Sequence, residues 1–266
     1  MKDHIIHNVT INGIDVRAVY SEDNVRGIFI PLLETLTELH RRKGRRVLAM
    51  LAAPPGAGKS TLLSFLEKLS GDIPNVDKIQ AIGMDGFHRR QEYLISHTTI
   101  REGREIPMVE VKGAPETFDV ERLKAGIETV AAGDNCGWPV YDRLLHDPVE
   151  NALKVNGEIV ILEGNYLLLD LDGWKDLSEL SDYTISVSAE EETLKRRLTD
   201  RRVASGHPAE EAGRFVEFSD MYNARLCRKY SKRADLELVL DKDGNYRDIS
   251  QKHTALAAAT FSESTP

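Results

Sequence analysis

The first periodic signal along the chain is a strict alternation. In "VTINGIDVRAVY" (9–20), apolar and polar positions alternate on either side of Asn12-Gly13. Asn-Gly tolerates the positive φ of a tight turn, so this stretch predicts a β-hairpin. The period then lengthens. "IFIPLLETLTELHRRKG" (28–44) carries apolar residues at helical spacing and stops in basic residues and Gly44, the ending expected of a helix. "RRVLAMLAA" (45–53) shows no alternation, as in a strand covered on both faces. "KIQAIGMD" (78–85), "EIVILEG" (158–164), "DYTISVSA" (182–189) and "DLELVLD" (235–241) read as further strands. Between them, "DVERLKAGIETVAAG" (119–133) is an amphipathic helix closed by Gly133, and "AEEETLKRRLTDRR" (189–202) is another helix. Strands that alternate with helices predict an α/β fold, a mostly parallel sheet with helices on both faces. The pattern has no internal repeat and no long linker. It predicts one domain over 1–266: an N-terminal hairpin and helix (1–44), a core (45–240) and a weakly ordered tail (249–266).

Composition narrows the partners. The 266 residues carry a formal charge of −8, which argues against a nucleic-acid scaffold but leaves room for a small anion held by local Arg and Lys. The basic run "HRRKGRR" (40–46) reads as a solvated helix end. Cys136 and Cys227 lie far apart and match no metal-ligand spacing, so they read as ordinary buried or half-buried thiols in a reducing compartment. "MKDHIIHNVT" lacks the apolar core of a signal peptide, and no apolar run reaches membrane-spanning length. A cytoplasmic protein without a nucleic-acid or membrane partner is expected.

The chemistry concentrates between the first buried strand and the helix that follows, in "APPGAGKST" (53–61). Gly56 and Gly58 let backbone N–H groups turn inward and form an anion nest at a helix N-terminus, with Pro55 and Ala57 completing the loop. Lys59 reaches the β- and γ-phosphates, Ser60 offers a hydroxyl to Mg²⁺, and Thr61 lies against the α-phosphate. The usual pattern opens with Gly, where this chain has Ala53. The strand–loop–helix context predicts a P-loop NTPase fold and a bound nucleoside triphosphate.

Other segments decide the use of that nucleotide. There is no Asn-Lys-x-Asp segment to read guanine and no Leu-Ser-Gly-Gly signature of a transporter ATPase. "DLDG" (170–173) reads as a turn before Trp174. "DKDGNYRD" (241–248) has Tyr246 where a calcium loop needs Gly. Asp85, by contrast, ends a predicted strand, at the side of an α/β sheet where ligands bind. A carboxylate there can accept the proton of an attacking hydroxyl and stand near the metal. Glu163 ends another buried strand and is placed to hold Mg²⁺.

Together these pieces resemble the family of uridine kinases, phosphoribulokinases and bacterial pantothenate kinases, over about 47–240. "MDGFHRR" (84–90) is similar to the family's Asp-x-Phe-His/Tyr segment, which implies Asp85 as general base. "KGAPETFD" (112–119) resembles a pantothenate kinase segment, "PVYDRLLHDPV" (139–149) the acceptor-site stretch, and "ILEGNYLL" (161–168) the Walker B strand with its turn. The combination is most similar to bacterial proteins described as sugar (fructose-type) or nucleoside/nucleotide kinases. The resemblance implies a five-stranded parallel core and an acceptor crevice formed by His88, Arg89, Lys112, Tyr141, Arg143, His146, Asn165, Tyr166 and Asn223. Tyr141 and His146 keep the uridine kinase spacing, whereas Arg143 stands where pantothenate kinases have a His. Arg143 adds a planar fork suited to a carboxylate, a phosphate or sugar hydroxyls.

A lid is expected over 190–208, where Gly206-His207-Pro208 breaks an Arg-rich helix. Arg196, Arg197, Arg201 and Arg202 cannot all point inward, because neighbours diverge by about 100°. Arg197 and Arg201, four apart, share a face and are expected at the transferring phosphoryl group. The expectation is an ATP- and Mg²⁺-dependent kinase acting on a hydroxyl of a small polar metabolite, a sugar or sugar derivative first. Nucleoside and pantothenate acceptors remain open, as does an ATP-binding regulator or transport accessory without an acceptor. The N-terminal hairpin is open to two uses, an extra sheet edge or a homodimer contact.

Overall fold

The fold was read from a computed structural model, which describes residues 4–11, 14–101 and 103–250. Strands β1 (His4–Ile11) and β2 (Ile14–Ser21) pair antiparallel along their length; the Asn12-Gly13 turn lies outside the described residues. A short helix α1 (Glu22–Asn24), begun by the Ser21 hydroxyl, and a wider turn Val25–Phe29 lead into α2 (Ile30–Lys43), which has Pro31 in its first turn. Next come β3 (Val47–Ala52), α3 (Lys59–Asp72), β4 (Ile79–Gly83) and α4 (Gln91–Ser96). Two hairpins that the hydrophobic pattern did not separate follow: β5 (Thr98–Arg101) with β6 (Arg104–Pro107), and, beyond α5 (Val120–Ala131), β7 (Cys136–Asp142) with β8 (Asp147–Val155). The chain continues through β9 (Ile159–Gly164), β10 (Tyr183–Ala189), α6 (Glu191–Ala204), α7 (Ala209–Phe215), α8 (Met221–Tyr230), β11 (Leu236–Leu240) and β12 (Tyr246–Asp248).

The main sheet has the order β12-β11-β10-β3-β9-β4. Its five expected strands are parallel, and β12 adds an antiparallel edge. The unbroken apolar run of β3 has a direct cause. Val47, Ala49 and Leu51 enter one core with α2 and α3, while Leu48, Met50 and Ala52 enter a second with α5. Successive side chains of a strand face opposite ways, so a strand buried on both sides must be apolar throughout. Phosphate loop and acidic strand ends thus fall on one edge of the sheet.

Three expectations are corrected. The N-terminal hairpin is no extra sheet edge: it is a separate two-stranded ribbon that docks on α3. There, His7 Nε2 lies 3.1 Å from Ser64 Oγ and Tyr20 stacks on Phe65 at 4.3 Å. The basic run 40–46 is not simply solvated. Arg46 is buried, donating to Gly157 O, Asp134 O and Asn135 Oδ1, while Lys43 and Arg45 both bind Asp182. The third strand-end residue moves: β4 stops at Gly83, and Asp85 sits on the tight turn Met84–Phe87 that follows. The tail from 251 lies outside the described residues.

Candidate active site

The loop from Ala53 to Gly58 joins β3 to α3, and its geometry follows from its glycines. Gly56 and Gly58 both have φ of +83°, a region that side chains with a Cβ rarely adopt. Gly56 also admits close packing, since a Cβ there would lie 2.9 Å from Leu198 Cγ of α6. The covering helix is therefore seated directly on the loop. Pro55 and Ala57 are buried, and Lys59, Ser60 and Thr61 form the first turn of α3 with half-buried side chains.

Glu163 meets this turn from β9. Ser60 Oγ donates to Glu163 Oε1 at 2.7 Å, and Lys59 Nζ stands 3.8 Å from Oε2. The side chain is only 12% exposed, and buried Oε2 has no hydrogen-bond partner among the described residues. Burial raises the Glu163 carboxyl above its ordinary range and Asp85 adds to this, while Lys59 and the Ser60 hydroxyl oppose it. An orphaned carboxylate oxygen beside a hydroxyl and a phosphate loop fits a divalent cation that keeps most of its waters, as Mg²⁺ does. The described residues contain no cluster of three or more acidic, His or Cys ligands, so a fully protein-made cage is not what this edge offers. Asp241, in the segment that resembles a calcium loop, caps its own turn by accepting from Asp243 N and Asn245 N.

Across the crevice, Asp85 shares its turn with His88, whose Nδ1 lies 2.8 Å from Asp85 O. A carbonyl only accepts, so Nδ1 carries the proton. Burial lowers the His88 pKa, with Asp85 opposing, and the ring stays neutral at pH 7. It packs against Phe118 and Tyr141. Tyr141 is held up to about 12, chiefly by burial and then by Asp147. Lys112 donates to Gln91 Oε1 and to His146 O, both at 2.7 Å, and lies over the Tyr141 ring. It thereby pins the β7–β8 tip, where Asp142 Oδ1 accepts from Leu144 N and Leu145 N. Arg143 and His146 are exposed on that tip, and Arg143 acts electrostatically on His88, Tyr141 and Arg201.

The four arginines of α6 diverge. Arg197 reaches the phosphate loop, with Nη1 3.6 Å from where a Gly58 Cβ would be. Desolvation lowers the Arg201 pKa, and the nearby charges of Asp220 and Asp85 counter that. Arg202 stacks on Phe215, and Arg196 is exposed.

Several expected acceptor residues lie elsewhere. Tyr166 is fully buried, donates to Gly113 O at 2.6 Å and packs against Phe118 and Trp174. It is a fully buried core residue, not an exposed wall of the crevice, which departs from the expectation. Arg89 turns away over Tyr93 toward Asp119 and Glu121, so it too leaves the crevice. Asn165 borders a cavity of about 160 Å³ under α8, shared with Cys227. Asn223 is buried, and its Oδ1 accepts from Arg101 Nη2 at 3.1 Å. Arg101, Asp220 and Asp147 are the charged residues that sequence reasoning missed. Asp147 accepts from Gln91 N at 2.6 Å and fastens the acceptor hairpin to α4. The available signal for Arg101 was Glu102-Gly103 set between two short runs rich in Thr, Ile and Arg, a hairpin pattern.

A phosphate nest, a metal-ready acid on the neighbouring strand and a second acid near enough to act on the first electrostatically define a P-loop phosphotransferase. No family model matches the chain, but individual proteins do. It is 38% identical over 243 residues to the Escherichia coli protein named "Uncharacterized protein YggC", covering 91% of this chain and 98% of the relative. It is 31% identical over 200 residues to a Schizosaccharomyces pombe protein named as a "putative uridine kinase", covering 73% of this chain and 83% of the relative. A crystal structure from a Silicibacter species, named a "putative fructose transport system kinase", superposes with a TM-score of 0.65 at 30% identity. It covers 77% of this chain and 98% of that one. The chain belongs to the P-loop kinases of the uridine kinase, phosphoribulokinase and pantothenate kinase type. It is a phosphotransferase acting on a hydroxyl group of a small molecule. Among the described residues, no helix is long and apolar enough to cross a membrane.

Proposed function

We propose that the chain transfers the γ-phosphoryl group of ATP to a hydroxyl of a sugar or sugar derivative. The observation that carries the reading is the meeting of Glu163 with Ser60 at 2.7 Å and Lys59 at 3.8 Å on the phosphate loop, with Asp85 near enough that its charge adds to the raising of the Glu163 carboxyl. Two acids at one edge of a phosphate loop serve different tasks, one toward the metal and one toward the acceptor. Tyr141, neutral His88 and Arg143 favour a hydroxyl-rich acceptor, and the named function of the Silicibacter structure points the same way.

Lys59 and the loop N–H groups bind the β- and γ-phosphates and orient them. Glu163 and Ser60 would hold Mg²⁺, and the ion would supply neutralisation of phosphate charge. Asp85 accepts the proton as the acceptor oxygen bonds to the γ-phosphorus; the bond from that phosphorus to the β,γ-bridging oxygen breaks and ADP leaves. Arg197 and Arg201 offset the charge that spreads over the transferring group. Closure of α6 over the loop excludes water and with it wasteful hydrolysis.

ADP release from Mg-ATP, screened against sugars, sugar phosphates, sugar acids, polyols, nucleosides and pantothenate, tests this reading. Stimulation by a sugar-class acceptor, with a product heavier by one phosphoryl group, is the expected result. Stimulation by a nucleoside or pantothenate alone would replace the proposed acceptor. No stimulation by any member would remove the small-acceptor reading in favour of an ATP-binding regulator.

A further inference from the structure

Arg101 is 5% exposed, and its Nε and Nη1 have no hydrogen-bond partner among the described residues. Its other contacts hold the guanidinium in place without saturating it. Nη2 donates to Asn223 Oδ1 at 3.1 Å and stands 3.9 Å from Glu116 Oε1, and the plane lies 4.1 Å from the centre of the Tyr222 ring. A permanently charged fork with two unanswered donors in the interior is costly unless a ligand or water completes it.

The surroundings point to an anion. Arg101 borders a cavity of about 350 Å³ whose other charged walls are Arg104, Arg225 and Glu217, with Phe218 and Tyr222 as its aromatic side. Three arginines face one carboxylate, and that Glu217 is already paired with Lys195 and Arg225. The position adjoins the residues of the reaction crevice. Glu116, 3.9 Å from Arg101 Nη2, belongs to the turn Pro115–Thr117, whose Thr117 O accepts from Arg89 N at 2.9 Å, and the next residue, Phe118, forms a β-bridge with His88. Among the described residues, β5 and β6 pair with each other and with no strand of the main sheet, so the arm that carries Arg101 can lift to admit a ligand without breaking a ladder of that sheet.

We propose that Arg101, positioned by Asn223 and Tyr222, is the seat of a phosphate or carboxylate carried by the acceptor, which is therefore an anionic sugar derivative. The proposal rests on the kinase reading for the word acceptor, but the anion seat stands or falls separately. The first test is titration with orthophosphate, and in parallel with gluconate, while Mg²⁺ and a non-hydrolysable ATP analogue fill the phosphate loop. Wild type should bind at least one anion, with affinity reduced tenfold or more in Arg101→Gln and less in Arg101→Lys. Equal binding by wild type and Arg101→Gln, or binding by neither, overturns the seat. Should Arg101→Gln fail to fold, Arg101→Lys and Tyr222→Ala carry the comparison.

The second test uses the acceptor screen. An anionic acceptor whose KM rises tenfold or more in Arg101→Gln, with the KM for Mg-ATP held, supports the proposal. Preference for phosphates over acids, or the reverse, identifies the anion. A neutral acceptor with unchanged KM in Arg101→Gln overturns it. Arg101-dependent anion binding without turnover of any acceptor would retain the seat and defeat only the kinase reading.

Discussion

Glu163 lies near the end of β9 and Asp85 on the turn that follows β4, and their neighbours give the two carboxylates different work. Glu163 is buried against Lys59 and Ser60, and its second oxygen awaits a cation. Asp85 sits on a turn that faces Arg201 and Arg143 across the crevice. Asp85→Asn should lower acceptor-dependent ADP release by about 10²–10⁴-fold, the usual size of a general-base contribution. Binding of a fluorescent ATP analogue should stay near the wild-type value; normal turnover in this variant would remove Asp85 from the role. At this scale, Lys59, Ser60 and Glu163 were legible in the sequence, because strand, loop and helix positions a few residues apart determine where each side chain points. Tyr166 was not. It follows Glu163 by three residues in a motif, but the turn drives its ring into the aromatic core with Phe118 and Trp174. Arg101 escaped for the opposite reason: its significance depends on Asn223, 122 positions away.

Elements are fitted to one another by close backbone approach, and the acceptor hairpin is the clearest case. A Cβ on Gly86 would fall 2.0 Å from Pro139 O and 2.8 Å from Val140 N, so the Asp85 turn and β7 touch through a residue without a side chain. Gly86→Ala must push β7–β8 away from Asp85. The expected result is a loss of about 1–3 kcal/mol, the usual range for overpacking, with acceptor turnover falling much more than nucleotide binding. Chemical denaturation and the paired activity and binding measurements check both halves. The element docking on α3 invites a similar experiment. Tyr20→Ala removes a ring stacked on Phe65 and set edge-on to Phe29, and an aromatic deletion of this kind costs about 3–5 kcal/mol. A melting temperature unchanged by Tyr20→Ala would mean that the hairpin contributes nothing to the core. The β7–β8 and β5–β6 hairpins escaped the reading because polar and charged residues interrupt the alternation that marks a strand, and in β5–β6 each strand has only four residues.

Across the whole molecule, Asp182 ties distant segments together. Its carboxylate accepts from Lys43 at the end of α2, from Arg45 just beyond it and from Leu48 N in the central strand. Burial alone would raise this group, but the Arg45, Lys43 and Leu48 hydrogen bonds outweigh it and hold the carboxyl below its ordinary value of 3.8. A lowered acid stabilises the fold above the unfolded value and loses that contribution as pH falls through the folded one. Asp182→Asn should therefore cost about 1–3 kcal/mol at pH 7, as for hydrogen bonds to a charged group, and progressively less below pH 3.8. Equal destabilisation at pH 7 and at acid pH would contradict the ion-pair account.

The five parallel strands of the main sheet, helices α2, α3, α5 and α6 and the phosphate loop were readable from the chain alone, since each depends on local periodicity or on contacts a few residues apart. Which arginine of α6 reaches the loop, the placing of Tyr166 in the core, and the meeting of Arg101 with Asn223 were decided only by tertiary structure. Those outcomes depend on which surfaces pack together across long separations, and hydrophobic period carries no record of partners.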